Sequence, residues 1–220
     1  MRSVLGALAL QVGLAGAVWG QQAPTQEAPV AAVWFPRVSV SAYVGVFAPI
    51  LPVVAIKNGT DASIALESSP AMSIELGYHF SPSLGMYGGV THARSHINNS
   101  SAMVLDDPSR AETPVGIFVP TGGFIWSPRL WNWLVRPTFR FGAGVKFYDI
   151  GLLEVKHGVQ DFAGDLGIGL MGSSESVTLV AEARWMPSRF DPAYLPVRVV
   201  GSKKQFQNDW VFQLGAKLGF

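Results

Sequence analysis

The chain ends in Trp210-Val-Phe-Gln-Leu-Gly-Ala-Lys-Leu-Gly-Phe220. Trp210, Phe212, Leu214, Ala216, Leu218 and Phe220 share one parity, and Gln213, Gly215, Lys217 and Gly219 share the other. Successive side chains of a β-strand point to opposite faces. The run therefore predicts a strand with one apolar face and one small or polar face.

The same period recurs upstream. Val38, Val40, Ala42, Val44 and Val46 alternate with Ser39, Ser41, Tyr43 and Gly45. Met72, Ile74, Leu76, Tyr78 and Phe80 alternate with Ser73, Glu75, Gly77 and His79. Val135, Phe139, Phe141, Ala143, Val145 and Phe147 oppose Arg136, Thr138, Arg140, Gly142, Gly144, Lys146 and Tyr148. Phe162, Gly164, Leu166, Ile168 and Leu170 oppose Ala163, Asp165, Gly167 and Gly169. Val177, Leu179, Ala181, Ala183 and Trp185 oppose Thr178, Glu182 and Arg184. Two weaker segments join these six. Leu84 to Ala93 is rich in glycine. Val115 to Trp126 is apolar on both faces and carries Pro120, which must sit at a bulge or lack a ladder partner. The total is eight strands of about ten residues.

The joints alternate in length. Ser81-Pro82-Ser83, Ser127 to Asn132 and Gly172 to Ser176 are short. Ala48 to Pro70, Arg94 to Pro114, Asp149 to Gln160 and Pro187 to Asn208 are long. Tight turns at one end and long loops at the other are the pattern of an up-and-down barrel in an outer membrane. A soluble sandwich or lipocalin alternates too, but hides its apolar face inside.

Composition favours lipid as the solvent of the apolar face. Of 220 residues 49% are apolar and only 14% charged, with 24 glycines. The opposite faces carry Glu75, Asp165 and Glu182 against Arg136, Arg140, Lys146, Arg184 and Lys217, which is sparse for a surface meeting water. An eight-stranded barrel has an interior just wide enough for side chains to fill it. Charges enclosed there must pair, so Glu75 and Glu182 are expected to meet arginines or lysines across the lumen. Three acids against five bases leave that face a formal +2. Aromatic residues gather at the strand ends: Tyr78 and Phe80, Trp126, Trp131 and Trp133, Phe147 and Tyr148, Trp185 and Trp210. Such rings form the girdles of membrane barrels.

Residues 1–20 read as a cleaved signal peptide: Arg2, an apolar run from Val4 to Val18, then small residues up to Gly20. The run is shorter than the ~20 residues of a spanning helix. Residues 21–36, with Pro24, Pro29 and Pro36, read as a flexible periplasmic lead-in. The barrel then occupies 37–220. The formal charge of +1 gives no basis for binding nucleic acid through its phosphates. With no cysteine, a disulfide scaffold, a thiol nucleophile and a Cys-ligated zinc are excluded.

The terminal strand, with Trp210, Phe212, Leu214, Leu218 and a final Phe220, resembles the last strand of bacterial outer-membrane barrels. That likeness implies recognition by the barrel-assembly machinery. With the leader and the strand count, residues 37–220 resemble the OmpA-, OmpX- and OmpW-type group of small barrels. The resemblance is one of pattern and assigns no subfamily. It implies an all-β, eight-stranded antiparallel transmembrane barrel in the cell outer membrane, both ends periplasmic, amid outer-membrane lipid and lipopolysaccharide.

No catalytic set, cofactor motif or metal site stands out. His92 and His96 lie where the third strand enters a loop, with no carboxylate at a ligand spacing. Gly142-Ala-Gly144 and Gly167-Ile-Gly169 open no helix, so they are not phosphate loops; glycine there makes room for neighbouring side chains. Asn58-Gly-Thr60, Asn98-Asn-Ser100 and Asn99-Ser-Ser101 fit a glycosylation pattern but read as turn residues of outer loops. The first long joint is itself apolar, and either extends its two flanking strands or rests over the mouth. The last runs from Phe190 through Val200 to Lys203-Lys204 and offers an apolar lining beside basic residues. The expected role is structural or one of surface interaction through the long loops, with a plugged lumen and no enzyme activity. The alternative is a narrow channel for small hydrophobic or anionic solutes. A lipid A-modifying enzyme ranks third.

Overall fold

The computed structural model describes residues 37–51, 54–57, 61–99, 114–128, 135–150, 159–173, 177–190 and 205–220. The expected leader (1–20), the lead-in (21–36), Trp131, Trp133 and the Lys203-Lys204 pair lie outside the described residues.

Among the described residues ten strands form: β1 (Val38–Pro49), β2 (Val54–Lys57), β3 (Asp61–Leu66), β4 (Ser69–His79), β5 (Leu84–Asn99), β6 (Pro114–Trp126), β7 (Val135–Ile150), β8 (Val159–Ser173), β9 (Thr178–Phe190) and β10 (Gln205–Gly219). Eight of them close a ring in the order β5-β4-β1-β10-β9-β8-β7-β6, with β6 returning to β5. Every pair is antiparallel. Closure leaves no free edge among these eight strands. The first and last strands meet along almost their whole length, from Ser39 opposite Gly219 to Pro49 opposite Asp209. Val38 and Phe220 exchange backbone hydrogen bonds of 3.2 and 2.8 Å at the end of that seam.

The strands outrun the ten residues their alternation suggests; β5 and β7 each have 16. β5 continues to Asn99, so His92 and His96 stand on a strand and not in a loop. The first long joint contains the β2–β3 hairpin. It extends one of its two flanking strands: β3 leads into β4 along the same partner, β5, with Ile64 opposite Asn99, Leu66 opposite Ile97 and Glu67 N donating to His96 O at 3.0 Å. Pro120 leaves a gap in its ladder. On the β7 side pairing stops at Phe118–Phe147 and resumes at Thr121–Gly144 in unchanged register. No residue is inserted, so there is no bulge: the proline, with no N–H to donate, lacks a partner on the β7 side and pairs with Val90 on the β5 side.

The two faces of the wall meet different surroundings. Val44, Met72, Ile74, Leu76, Leu179 and Leu214 are each more than 60% exposed, whereas Lys146 and Asp165 inside are 0% exposed. A protein folded for water reverses that arrangement. An apolar exterior around a charged interior is the pattern of a barrel whose solvent is lipid. The chain is an eight-stranded, antiparallel, transmembrane β-barrel. Rings band both ends of its outer face. Tyr78–Phe80 and Trp126–Phe139 lie at the short-joint end, with centroids 5.5 and 5.3 Å apart. Phe118–Phe147 and the Trp185–Trp210–Phe212 stack lie at the other, with 6.3, 6.5 and 5.9 Å.

Candidate functional site in the barrel lumen

Alternation aims one residue in two of every strand into the lumen. On β7 these are Arg136, Thr138, Arg140, Gly142, Gly144, Lys146 and Tyr148. Arg140 is the hub of a polar layer. Its Nη1 lies 2.7 Å from Glu75 Oε2 on β4, and its Nε lies 3.0 Å from Glu182 Oε1 on β9. Both contacts are ion pairs off the hydrogen-bond axis, while Nη2 donates to Glu182 Oε2 at 3.1 Å. The guanidinium carbon sits 4.1 Å from the centre of the Tyr87 ring on β5, a cation–π contact.

Arg184 on β9 forms the second half of that layer. It grips Asp165 on β8 with two bonds, Nε to Oδ1 at 3.0 Å and Nη2 to Oδ2 at 2.6 Å. This bidentate form is the strong one for a guanidinium and a carboxylate. Its remaining donors reach Thr91 on β5 (2.9 Å) and Thr121 on β6 (3.1 Å). The Tyr87 hydroxyl donates to Asp165 at 2.6 Å. Gln213 on β10 donates to Glu182 at 3.4 Å and accepts from Ser73 of β4 at 2.9 Å. One connected network thus ties together seven of the eight barrel strands, β4 to β10, across the lumen.

Small residues make this layer possible. A Cβ on Gly142 would overlap the Tyr87 hydroxyl, and one on Gly167 would lie 3.2 Å from Arg140 Cβ and 3.4 Å from Arg184 Cγ. These glycines hold space for the network's own side chains.

Toward the long-joint end apolar side chains join the polar ones in filling the lumen. Phe47, Val115, Ile117, Val119, Met186 and Val211 are at most 1% exposed. Lys146 lies among them, paired with Asp209 of β10 and donating to Ser188 Oγ of β9 at 3.0 Å. Beside it Tyr148 donates to Gln207. At the short-joint end Lys217 donates to His79 Nε2 at 2.7 Å, and Ser39 lies 3.4 Å from the same nitrogen. Arg136 is half-buried at that end of β7.

The eight charges singled out by alternation all carry the inward parity, but the set was incomplete. Asp209 and Asp161 point inward as well. The period continues through both, Asp209 in step with Gln213 and Asp161 in step with Asp165, beyond the ends at which the shorter strands stop. With them the described residues of the eight ring strands carry five acids and five bases of inward parity, so the formal +2 disappears among them. Tyr148 also changes place. It is 2% exposed inside the lumen and belongs to no rim girdle. His92 and His96 face outward. Among the described residues no three histidine, aspartate or glutamate side chains gather as a metal site.

No family model matches the chain, and no curated protein matches it by sequence. Solved structures do match in shape. The chain is similar to the outer membrane protein AlkL, at 15% identity and a TM-score of 0.51, over 92% of this chain and 97% of that one. It is also similar to neisserial surface protein A, at 16% identity and 0.48, over 83% and 97%. A third match is Ail, the attachment invasion locus protein of Yersinia pestis, at 12% identity and 0.42, over 84% and 99%. At these identities the likeness is one of fold: a small barrel of the outer-membrane type.

Proposed function

We propose that this protein is an outer-membrane barrel with a closed lumen, serving the cell envelope structurally or through contacts made by its long joints. The short joints and both chain ends face the periplasm in this reading, and the long joints face outward amid lipid and lipopolysaccharide. Export follows from the leader at 1–20. Insertion follows from recognition of the last strand, Trp210, Phe212, Leu214, Leu218 and Phe220, by the barrel-assembly machinery. The lumen network supports closure over a channel role. Arg140 and Arg184 draw carboxylates from β4, β8 and β9 to the middle of the barrel, and the space beyond is packed with buried apolar side chains. A narrow channel for small hydrophobic or anionic solutes needs a path through both layers.

Planar-bilayer recording of the refolded barrel tests this. The expected result is no unitary conductance above the lipid baseline, with ion pairs left intact at neutral pH. Steady steps that persist in the purified protein would overturn closure and favour the channel.

A further inference from the structure

A second ladder gap opens the wall where β8 meets β9. Pairing runs from Ser173–Thr178 to Leu166–Trp185, lapses, and returns at Ala163–Ser188 in the same register. Pro187 lies in the gap without an N–H, and its ring fills the space that a side chain at Gly164, opposite, would need. The result is a cavity of about 580 Å³ lined by Asp161, Phe162, Gly164, Pro187, Ser188, Arg189 and Phe206. Asp161 and Ser188, of inward parity, form its floor. The others belong to the outer face.

Its height on the barrel identifies the surroundings. The stacked Trp185 and Trp210 lie one row below, at the edge of the apolar belt. Arg189 lies one row above Pro187 and is exposed. Phe206 pairs with Arg189 in register. Since Ala163 faces Ser188, the next step sets Phe162 on Arg189's other side. Phe162 and Phe206 are 73% and 51% exposed. An exposed guanidinium between two exposed rings, over a cleft at the lipid–water boundary, matches a sugar that carries a phosphate. The rings offer flat apolar surface to a pyranose, and the guanidinium offers paired donors to the phosphate.

We infer that this cleft binds the phosphorylated sugar headgroup of an outer-leaflet glycolipid of the lipid A type. The inference rests on the outer-membrane reading, because it requires the long-joint end to face that leaflet. Arg189 meets the phosphate, and Phe162 and Phe206 flank the sugar.

The test is native mass spectrometry of the full barrel released from phosphatidylcholine vesicles doped with lipid A, or with phosphatidylglycerol instead. Lipid A should remain bound, and phosphatidylglycerol, anionic but without the phosphosugar, should not. Arg189→Gln should lower retention roughly five-fold, the factor one cation contributes near a membrane surface. Phe206→Ala, which removes one exposed flanking ring, should lower it without changing charge. Arg94→Gln removes another exposed outward cation, on β5, and should leave retention unchanged. Undiminished retention in Arg189→Gln, equal loss in Arg94→Gln, or equal retention of phosphatidylglycerol would overturn the inference. A barrel that never inserts, shown by the absence of a heat-shifted band on cold electrophoresis, would defeat the envelope reading itself.

Discussion

Arg140→Met is expected to destabilise the barrel by about 3–5 kcal/mol, the usual cost of leaving buried charge without its partner. Arg140 meets Glu75 at 2.7 Å and Glu182 at 3.0 Å, and both carboxylates are buried. Removing the guanidinium takes the cation from Glu75 and leaves Glu182 with Arg184 at 3.7 Å and Gln213 at 3.4 Å. Urea unfolding in lipid vesicles, followed by tryptophan fluorescence, reads the loss. The triple variant Arg140→Met, Glu75→Gln, Glu182→Gln should recover most of it, since neutral amides no longer need a cation. Glu182→Gln alone should cost less, because Arg140 keeps Glu75. An Arg140→Met barrel as stable as the unaltered one would show that the central layer contributes nothing to holding the strands together.

The second large effect is expected at Lys146 and Asp209. This pair sits among Phe47, Ile117, Val119 and Val211, and both partners are at most 1% exposed. Asp209→Leu should cost about 3–5 kcal/mol by removing the carboxylate that the buried ammonium pairs with, while the Ser188 hydroxyl stays in place. Joining it with Lys146→Met should return stability to near the starting value or above. Exchanging a buried ion pair for apolar side chains of similar size is often neutral or favourable. The four barrels form a double-mutant cycle, and the same vesicle unfolding measures each corner. Additive losses, with the double variant the least stable, would show that the two charges are not coupled.

The two sites differ in how plainly the sequence announces them. Arg140, Glu75, Glu182, Asp165 and Arg184 fall in the middle of strands whose alternation is unbroken, so parity alone puts them on one face. Lys146 is equally visible, but its partner is not. Asp209 immediately precedes Trp210, where the alternation first becomes clear, and it looks like the end of a loop. The strands run past the apolar belt, and the sequence loses its lipid-facing signal there while backbone pairing continues. The same blindness hid the reach of β5 to Asn99 and the β2–β3 hairpin. The hairpin's apolar positions, Val54 and Ile56 on β2 and Ile64 and Leu66 on β3, span too few residues to set a period apart from a merely apolar joint.

Val115 to Trp126 escaped a face assignment for a different reason. Its outward residues are apolar because they meet lipid. Its inward Val115, Ile117 and Val119 are apolar because they pack the outer half of the lumen. Two solvents asked for the same chemistry, so period two vanished. Pro120 was readable as a disruption in that strand, but the like gap at Pro187 depended on knowing that Gly164 lies opposite. Pairing between strands so far apart in the chain is register information that one strand's own pattern does not hold.

Even-numbered residues of β10 face lipid and odd-numbered ones face the lumen. The chain has no cysteine, so single cysteines carrying a nitroxide can be placed in turn at positions 212, 213, 214 and 216 and read by electron paramagnetic resonance in vesicles. Frequent collisions with oxygen, which concentrates in lipid, are expected at 212, 214 and 216, few at 213, and little contact with a water-soluble nickel complex at all three even positions. Strong collisions with the nickel complex at 212, 214 and 216 would place that face in water and overturn the lipid-facing assignment.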